Sequence, residues 1–260
     1  MNGIQFKRRF LWSRGHNSLW KSLLILWWFA CGLSSLAFLA FSQKLSPELY
    51  STLKYRHIGP EGNRVIAIAG HSSNPNLILA GAASGGIWRS VDGGLNWEPV
   101  FDDQDVSSIG ALAIAPSDPN IVWAGTGETN IRSSISVGNG VYKSTDGGIT
   151  WQHMGLEKTG RIGRIVIHPR NPDIVWVAAM GHCYGPQQER GVFKTVDGGK
   201  TWKRVLFTGE DTGASDIAID PQNPQNLVAG MWPLEIKTWQ RKSGGPNGGV
   251  FLSHEGGKPG

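Results

Sequence analysis

The sequence predicts an all-β protein, a β-propeller of four-stranded antiparallel blades that is partial at about three and three-quarter blades and follows one N-terminal transmembrane or signal helix. Three observations predict it. One octapeptide recurs as "SVDGGLNW", "STDGGITW" and "TVDGGKTW", with "SHEGGKPG" as a degraded fourth copy; its acids, Asp92, Asp146, Asp197 and Glu255, stand 54, 51 and 58 residues apart, a period typical of propellers and solenoids. A short strand-like run precedes each copy ("GIWRS", "GVYKS", "GVFKT", "GVFLS"), and paired apolar runs flank a proline turn upstream ("IAIAPSDPNIVWAG", "IVIHPRNPDIVWVA", "IAIDPQNPQNLVAG"). Thirty-six glycines and twelve tryptophans recur with the repeat, as expected of many tight turns each pinned by a large ring.

In chain order, residues 1–22 read as a basic cytoplasmic segment. Residues 1–42 hold Lys7, Arg8, Arg9, Arg14 and Lys21 and no acid, so the formal charge of +5 is confined to the front and the remainder is neutral. That removes the main support for a nucleic-acid partner. Residues 23–41, "LLILWWFACGLSSLAFLAF", carry no charge and at about 1.5 Å per residue nearly cross a ~30 Å hydrocarbon core. With the basic flank inside, everything after residue 42 is expected on the periplasmic or outer side of a membrane. A membrane anchor is the expectation; Ala40-Phe41-Ser42 leaves a cleaved leader and a secreted product as the alternative. Residues 42–57 form a linker. Cys31 lies in the apolar span and Cys183 stands alone beyond it, so no intrachain disulfide framework is expected.

Residues 58–260 divide into blades at about 58–105, 106–158, 159–210 and 211–260. In the third, strands are expected at 162–168, 173–180, 191–195 and 201–207. Runs such as "IVWVAAM" are apolar on both faces, which requires cover on each side, and neighbouring blades supply it. A helical solenoid is excluded by prolines and β-branched residues that interrupt every helical window. Within each octapeptide the acid is expected to accept backbone N–H groups of the turn between third and fourth strands, with glycine at positive φ and the ring packed beneath. The residues assigned this structural role are Ser90, Asp92, Gly94 and Trp97; Ser144, Asp146, Gly148 and Trp151; and Thr195, Asp197, Gly199 and Trp202.

This spacing resembles the Asp-box or BNR repeat of sialidases, Vps10/sortilin-type receptors, xyloglucanases and photosystem II assembly-factor-like propellers. Over residues 56–260 the stretches "IGPEGNRVIAIAG", "SGGIWRSVDGGLNW", "GTGETNIRSS", "GVYKSTDGGITW", "IGRIVIHPRNPDIVWVAA" and "GVFKTVDGGKTW" are similar to exported bacterial proteins with a sortilin-like N-terminal propeller, often described as glycosyl-hydrolase-like. The resemblance implies a fold; a shared fold does not carry a shared chemistry. In xyloglucanase-like propellers a catalytic Asp precedes the Gly-Gly of the first blade by two residues, and this chain has Ala83 there. The arginine clamp of sialidases would begin at Arg56 or Arg64, with its remaining members in later blades.

Functional groups are expected on the face opposite the octapeptides, in the long loops after the second strands at 126–140, 181–190 and 231–248. The candidate ligand-facing residues are Glu128, Asn130, Arg132, His182, Tyr184, Glu189, Arg190, Trp232, Glu235, Lys237, Trp239 and Arg241, with the aromatic and charged mixture of 232–241 foremost. No catalytic residue is assigned. "FDDQD" and "TGEDTGASD" lack EF-hand spacing, "GTGETN" leads into a strand and not a helix, and the histidines show no HExxH pattern, so no metal or other cofactor is expected. The expected function is a binding or scaffold module for a peptide, protein or glycan; the alternative is a glycoside hydrolase of sialidase or xyloglucanase type. The incomplete ring is expected to be a truncated product or to close by association.

Overall fold

The computed structural model describes residues 64–132 and 134–257, which fold as four antiparallel sheets of four strands each, consistent with propeller blades. Sheet 1 holds β1 (Val65–His71), β2 (Asn74–Ala82), β3 (Ile87–Ser90) and β4 (Glu98–Pro99). Sheet 2 holds β5 (Ile109–Ala115), β6 (Asp118–Thr126), β7 (Val141–Ser144) and β8 (Gln152–His153). Sheet 3 holds β9 (Ile162–Ile167), β10 (Val175–Ala179), β11 (Gly191–Thr195) and β12 (Lys203–Leu206). Each pairs in chain order. The N-terminal helix expected at 23–41 and the linker at 42–57 lie outside the described residues, and among those described no helix is long and apolar enough to cross a membrane.

Sheet 4 departs from this order. Its strands are β13 (Thr212–Ile219), β14 (Leu227–Ile236), β15 (Arg241–Ser243) and β16 (Gly249–Ser253). The long β14 pairs with β16 along Leu227–Met231 and with β15 along Leu234–Ile236. The segment 231–248, expected as a loop, is therefore largely a hairpin closed by the Lys237 amide donating to Gln240 O (2.7 Å). The alternation of buried Leu234 and Ile236 with half-buried Glu235 marks it as strand, a period-two signal that flanking Trp, Pro and Gly obscured. A smaller difference appears at β12, which begins at Lys203 because Thr201 is spent on the turn before it.

The octapeptides form the turns from third to fourth strand. Ser90 Oγ accepts from the Gly94 amide (2.9 Å) and donates to Asp92 Oδ1 (2.8 Å), which also accepts the Leu95 and Asn96 amides (2.9 Å each). The same scheme recurs at Ser144, Asp146 and Gly148, and at Thr195, Asp197 and Gly199. In the degraded copy Ser253 Oγ still accepts the Gly257 amide (2.9 Å).

The turns also join sheet to sheet. A Cβ on Gly148 would collide with Leu79 of sheet 1, and one on Gly199 with Trp123 of sheet 2; both glycines have positive φ. Trp151 packs edge-on to Phe101, and Trp202 edge-on to Trp123 while its Nε1 donates to Met154 O (2.7 Å). A basic side chain on the third strand of sheets 1, 2 and 3 reaches the first turn glycine of the next sheet: Arg89 to Gly147 O (2.9 Å), Lys143 to Gly198 O (3.4 Å), Lys194 to Gly256 O (2.7 Å). Three apolar clusters fill the sheet-to-sheet gaps, centred on Leu79 and Leu112, on Trp123 and Ile165, and on Trp176 and Ile217.

These turns should make stability acid-sensitive. Asp92 is held at about 2 against an ordinary 3.8, chiefly by the Asn96 amide. At Asp146 burial pushes the value up, but the Thr150 hydroxyl and amide, Ser144 and Ile149 outweigh it and hold the carboxyl at about 2. Asp197 is lowered too, first by the Thr201 hydroxyl. A folded pKa below the unfolded one means that the stabilisation is full above pH ~3.8 and is lost as pH falls toward ~2. The midpoint of thermal unfolding, followed by circular dichroism, should drop across that window, and the drop should be shallower in Asp146→Asn. An equal slope in the variant would contradict this.

Candidate functional site

On the face opposite those turns, the loops after β6 and β10 and the β14–β15 hairpin pack into a second layer. Ile135, Met180, Cys183, Leu234 and Ile236 form its buried apolar centre, with Ile131 and Trp232 against it. Two fully buried guanidiniums tie this layer down. Arg161, at the start of sheet 3, donates through Nη1 to His182 O (2.5 Å) and through Nη2 to Ile135 O (3.0 Å) and the Tyr184 hydroxyl (3.2 Å), and stacks under the Tyr184 ring at 5.1 Å. Arg190 donates to Asp211 O (2.7 Å), Leu234 O (3.0 Å) and Gly185 O (2.9 Å). Each guanidinium thus closes one loop onto its neighbour, since its planar fork satisfies several buried carbonyls at once.

Glu128 is also fully buried. Its Oε1 accepts from Arg64 Nη2 (2.8 Å) and Arg132 Nε (2.9 Å), and its Oε2 from Arg132 Nη2 (3.1 Å). Burial alone would raise its pKa, but the Arg132 hydrogen bond, the Ser136 amide and the Arg64 and Arg132 charges outweigh it and lower the value. A carboxylate so held does not donate a proton to a leaving group. Glu128 and Arg190 are buried and position the loops, where the sequence had suggested ligand-facing groups; their burial was invisible in sequence because it depends on backbone carbonyls and on Arg64, distant in the chain, joining the nearby Arg132. Arg161, which sequence reasoning overlooked, belongs with them, and the only signal for it was a basic residue immediately before the strand Ile162–Ile167.

The other candidates reach the surface to differing degrees. Asn130, Arg132, Tyr184, Lys237, Trp239 and Arg241 are exposed; His182, Glu189, Trp232 and Glu235 are half-buried. Burial first, then the Arg161 charge, hold the His182 imidazole below its usual range. Trp232 Nε1 donates to Ser243 Oγ (2.9 Å), and Lys237 pairs with Glu235 at 3.3 Å, so both serve the hairpin. Trp239 stands at its tip, 79% exposed. Ala83 is fully buried, its amide on Arg64 O. Among the described residues no group of three or more His, Cys, Asp or Glu is placed to hold a metal.

The family model for Sortilin-Vps10, described as "Sortilin, neurotensin receptor 3", matches residues 85–212. Over those residues, just under half of its length, the chain is similar to a Vps10/sortilin-like β-propeller. A xyloglucanase of Paenibacillus sp is 29% identical to it over 215 residues, 77% of this chain and 20% of that protein. Xyloglucanase Xgh74A of Acetivibrio thermocellus is 30% identical over 168 residues, 55% of this chain and 18% of its own length. This propeller chain thus spans about a fifth of the curated relatives it matches. The solved GH74 enzyme of Niastella koreensis superposes with a TM-score of 0.53 at 22% identity, covering 74% of this chain and 28% of that one, which speaks for the fold. The matched curated relatives carry the name of a glycoside hydrolase, so the inclination away from catalysis in the sequence reading finds no support among them.

Proposed function

We propose that this propeller, exported and held at a membrane by residues 23–41, binds a glycan of the xyloglucan class on its loop face as part of a glycoside-hydrolase-like protein. The observation that carries the reading is Trp239, a 79% exposed indole at the tip of a hydrogen-bonded hairpin. A rigid exposed ring offers a stacking platform for a sugar face at low entropic cost. Exposed Arg241, Lys237 and Tyr184 supply polar and aromatic contacts on the same layer. The names of the curated relatives support the polysaccharide class.

Titration calorimetry of the full chain in neutral detergent with a xyloglucan oligosaccharide tests this. Saturable binding is expected, and Trp239→Ala should weaken it about 10- to 30-fold, the scale of a truncated hot spot. Unchanged affinity in that variant, or no binding by the wild type, would end the proposal.

The relatives also favour a second reading, hydrolysis of the same polymer. It needs two carboxylates flanking the bond. With Ala83 in one matched position and Glu128 committed to two arginines, Glu235 and Glu189 are the remaining carboxylates among the loop-face candidates. Release of reducing sugar that disappears in Glu235→Gln would establish this reading.

A further inference from the structure

The turn between first and second strands has the same six-residue frame in all four sheets, "HSSNPN", "APSDPN", "HPRNPD" and "DPQNPQ", so its opening residue can be compared along the chain. In sheet 4 that residue is Asp220, whose Oδ1 accepts the amides of Gln222 (2.9 Å) and Asn223 (3.2 Å). In sheet 3 it is His168, whose Nδ1 accepts the amides of Arg170 (3.2 Å) and Asn171 (3.1 Å), the same two places in the turn. In sheet 1, His71 Nδ1 accepts the Ser73 amide (3.3 Å) while its Nε2 donates to Pro116 O (3.2 Å). Sheet 2 has Ala115, which offers no side-chain acceptor. The frame therefore folds with a carboxylate, an imidazole or a methyl group at this place. The imidazole alone is an acceptor that a proton removes near neutral pH.

A ring nitrogen that accepts two N–H groups carries a lone pair, so His168 is neutral with its proton on Nε2. Protonation puts an N–H on Nδ1, aimed at two other N–H groups. Both hydrogen bonds are then lost together. The surroundings also disfavour the imidazolium. The charged groups acting on the ring are Arg170 of its own turn and Lys194 of β11, both cations. On β10 the Trp176 ring lies nearly parallel to it, at 22° and 6.4 Å between centroids, beyond the ~6 Å within which an indole face rewards a cation. Burial first, then the Arg170 and Lys194 charges, hold His168 below its ordinary 6.5. The base of the turn is closed by backbone, the His168 amide donating to Ile174 O (2.9 Å) and the Ile174 amide to Asn171 O (3.2 Å). Its tip, at Arg170 and Asn171, is tied down by the ring.

We propose that the β9–β10 turn is a proton-released catch: the neutral His168 ring holds the tip closed, and mild acid opens it and shifts the ring against Trp176. Trp176 carries the change toward sheet 4, since its Nε1 donates to Gly256 O (3.2 Å). Because the folded ring takes its proton below the unfolded value, the stabilisation is complete above pH ~6.5 and is lost as pH falls through the folded value. That loss begins well before Asp92 and Asp146, held at about 2, titrate.

Nitrogen-15 NMR of the full chain in neutral detergent, from about pH 7.5 to about pH 4.5, tests this. The His168 ring should show the Nε2–H tautomer at the upper end and titrate below 6.5. Protection of the Arg170 and Asn171 amides from hydrogen exchange, corrected for intrinsic rates, should fall about 10-fold, the scale of one or two lost hydrogen bonds. The fall should share its midpoint with the ring titration, and so should a shift of the Trp176 indole N–H signal. His168→Asp, which installs the acceptor used in sheet 4, should keep both amides protected across the range. A ring proton on Nδ1 at the upper end, amide protection indifferent to the ring titration, or an equal loss of protection in the aspartate variant would each overturn the proposal. The first two are read on the wild type and do not depend on the folding of a variant.

Discussion

Replacing Trp123 by alanine is expected to destabilise the protein by about 3–5 kcal/mol, the range for truncating a fully buried aromatic side chain. Trp123 is 0% exposed. It lies between sheets 2 and 3, edge-on to Trp202 at 5.8 Å, beneath the Lys143 ammonium at 5.4 Å and against Gly199. Its Nε1 has no hydrogen-bond partner among the described residues, so the loss is one of packing and cavity formation. The contacts belong to two sheets, so neither can collapse alone into the space left. Trp123→Phe should recover part of the loss, because a smaller cavity remains. Chemical denaturation of the full chain in neutral detergent, followed by circular dichroism, measures both. A cost below about 1 kcal/mol for the alanine variant would mean that the sheet-to-sheet junction is not packed as described.

Arg161→Met should cost about 2–6 kcal/mol, because it leaves at least two carbonyls, Ile135 O and His182 O, without the donors that satisfy them, at about 1–3 kcal/mol for each. Methionine fills much of the volume of the guanidinium stem, which separates lost hydrogen bonding from lost packing. Arg161 acts on the loop layer more than on the sheets. Limited proteolysis should therefore cut the 126–140 and 181–190 loops before the blades unfold, and hydrogen exchange should rise there first. Arg161→Lys should rescue little, since one ammonium cannot span the Ile135, His182 and Tyr184 oxygens in the plane that a guanidinium reaches. Equal protection of both loops in the methionine variant would show that the buried guanidinium does not hold them.

The two variants touch the parts of the molecule that were unequally legible in the sequence. Asp92, Asp146 and Asp197 could be placed in turns between third and fourth strands from spacing alone, because a carboxylate followed by two glycines solves a local problem: several converging N–H groups and positive φ. The strands of sheet 3 were readable for a similar reason, as apolar runs of strand length bounded by turn residues. What the same residues do across the gap between sheets was not readable. That Gly199 clears space for Trp123 depends on two positions far apart in sequence that meet only after the blades stack.

The candidate site was harder still. Loop length pointed to the face opposite the octapeptides, but it treated Glu128, Arg190 and Tyr184 alike, although the first two are buried and the third is half in solvent. Burial of a charged group depends on whether partners from other segments converge on it, and those partners are largely main-chain oxygens that carry no sequence signature. The hairpin bearing Trp239 was hidden for a local reason: Pro233, Gly244 and Gly245 read as loop, while the pairing of Leu234 with Ser243 is fixed only when β14 extends past its own sheet.

By itself, then, the sequence determined the repeat, the strand-and-turn content and the side of each blade on which long loops emerge, since these follow from interactions within about fifty residues. Only the tertiary structure decided which charges are buried, which tryptophans bridge sheets and which apolar side chains, Ile68 and Val250 among them, are exposed. Desolvation and close packing depend on the summed arrangement of distant segments, and a pattern along one chain does not contain that sum.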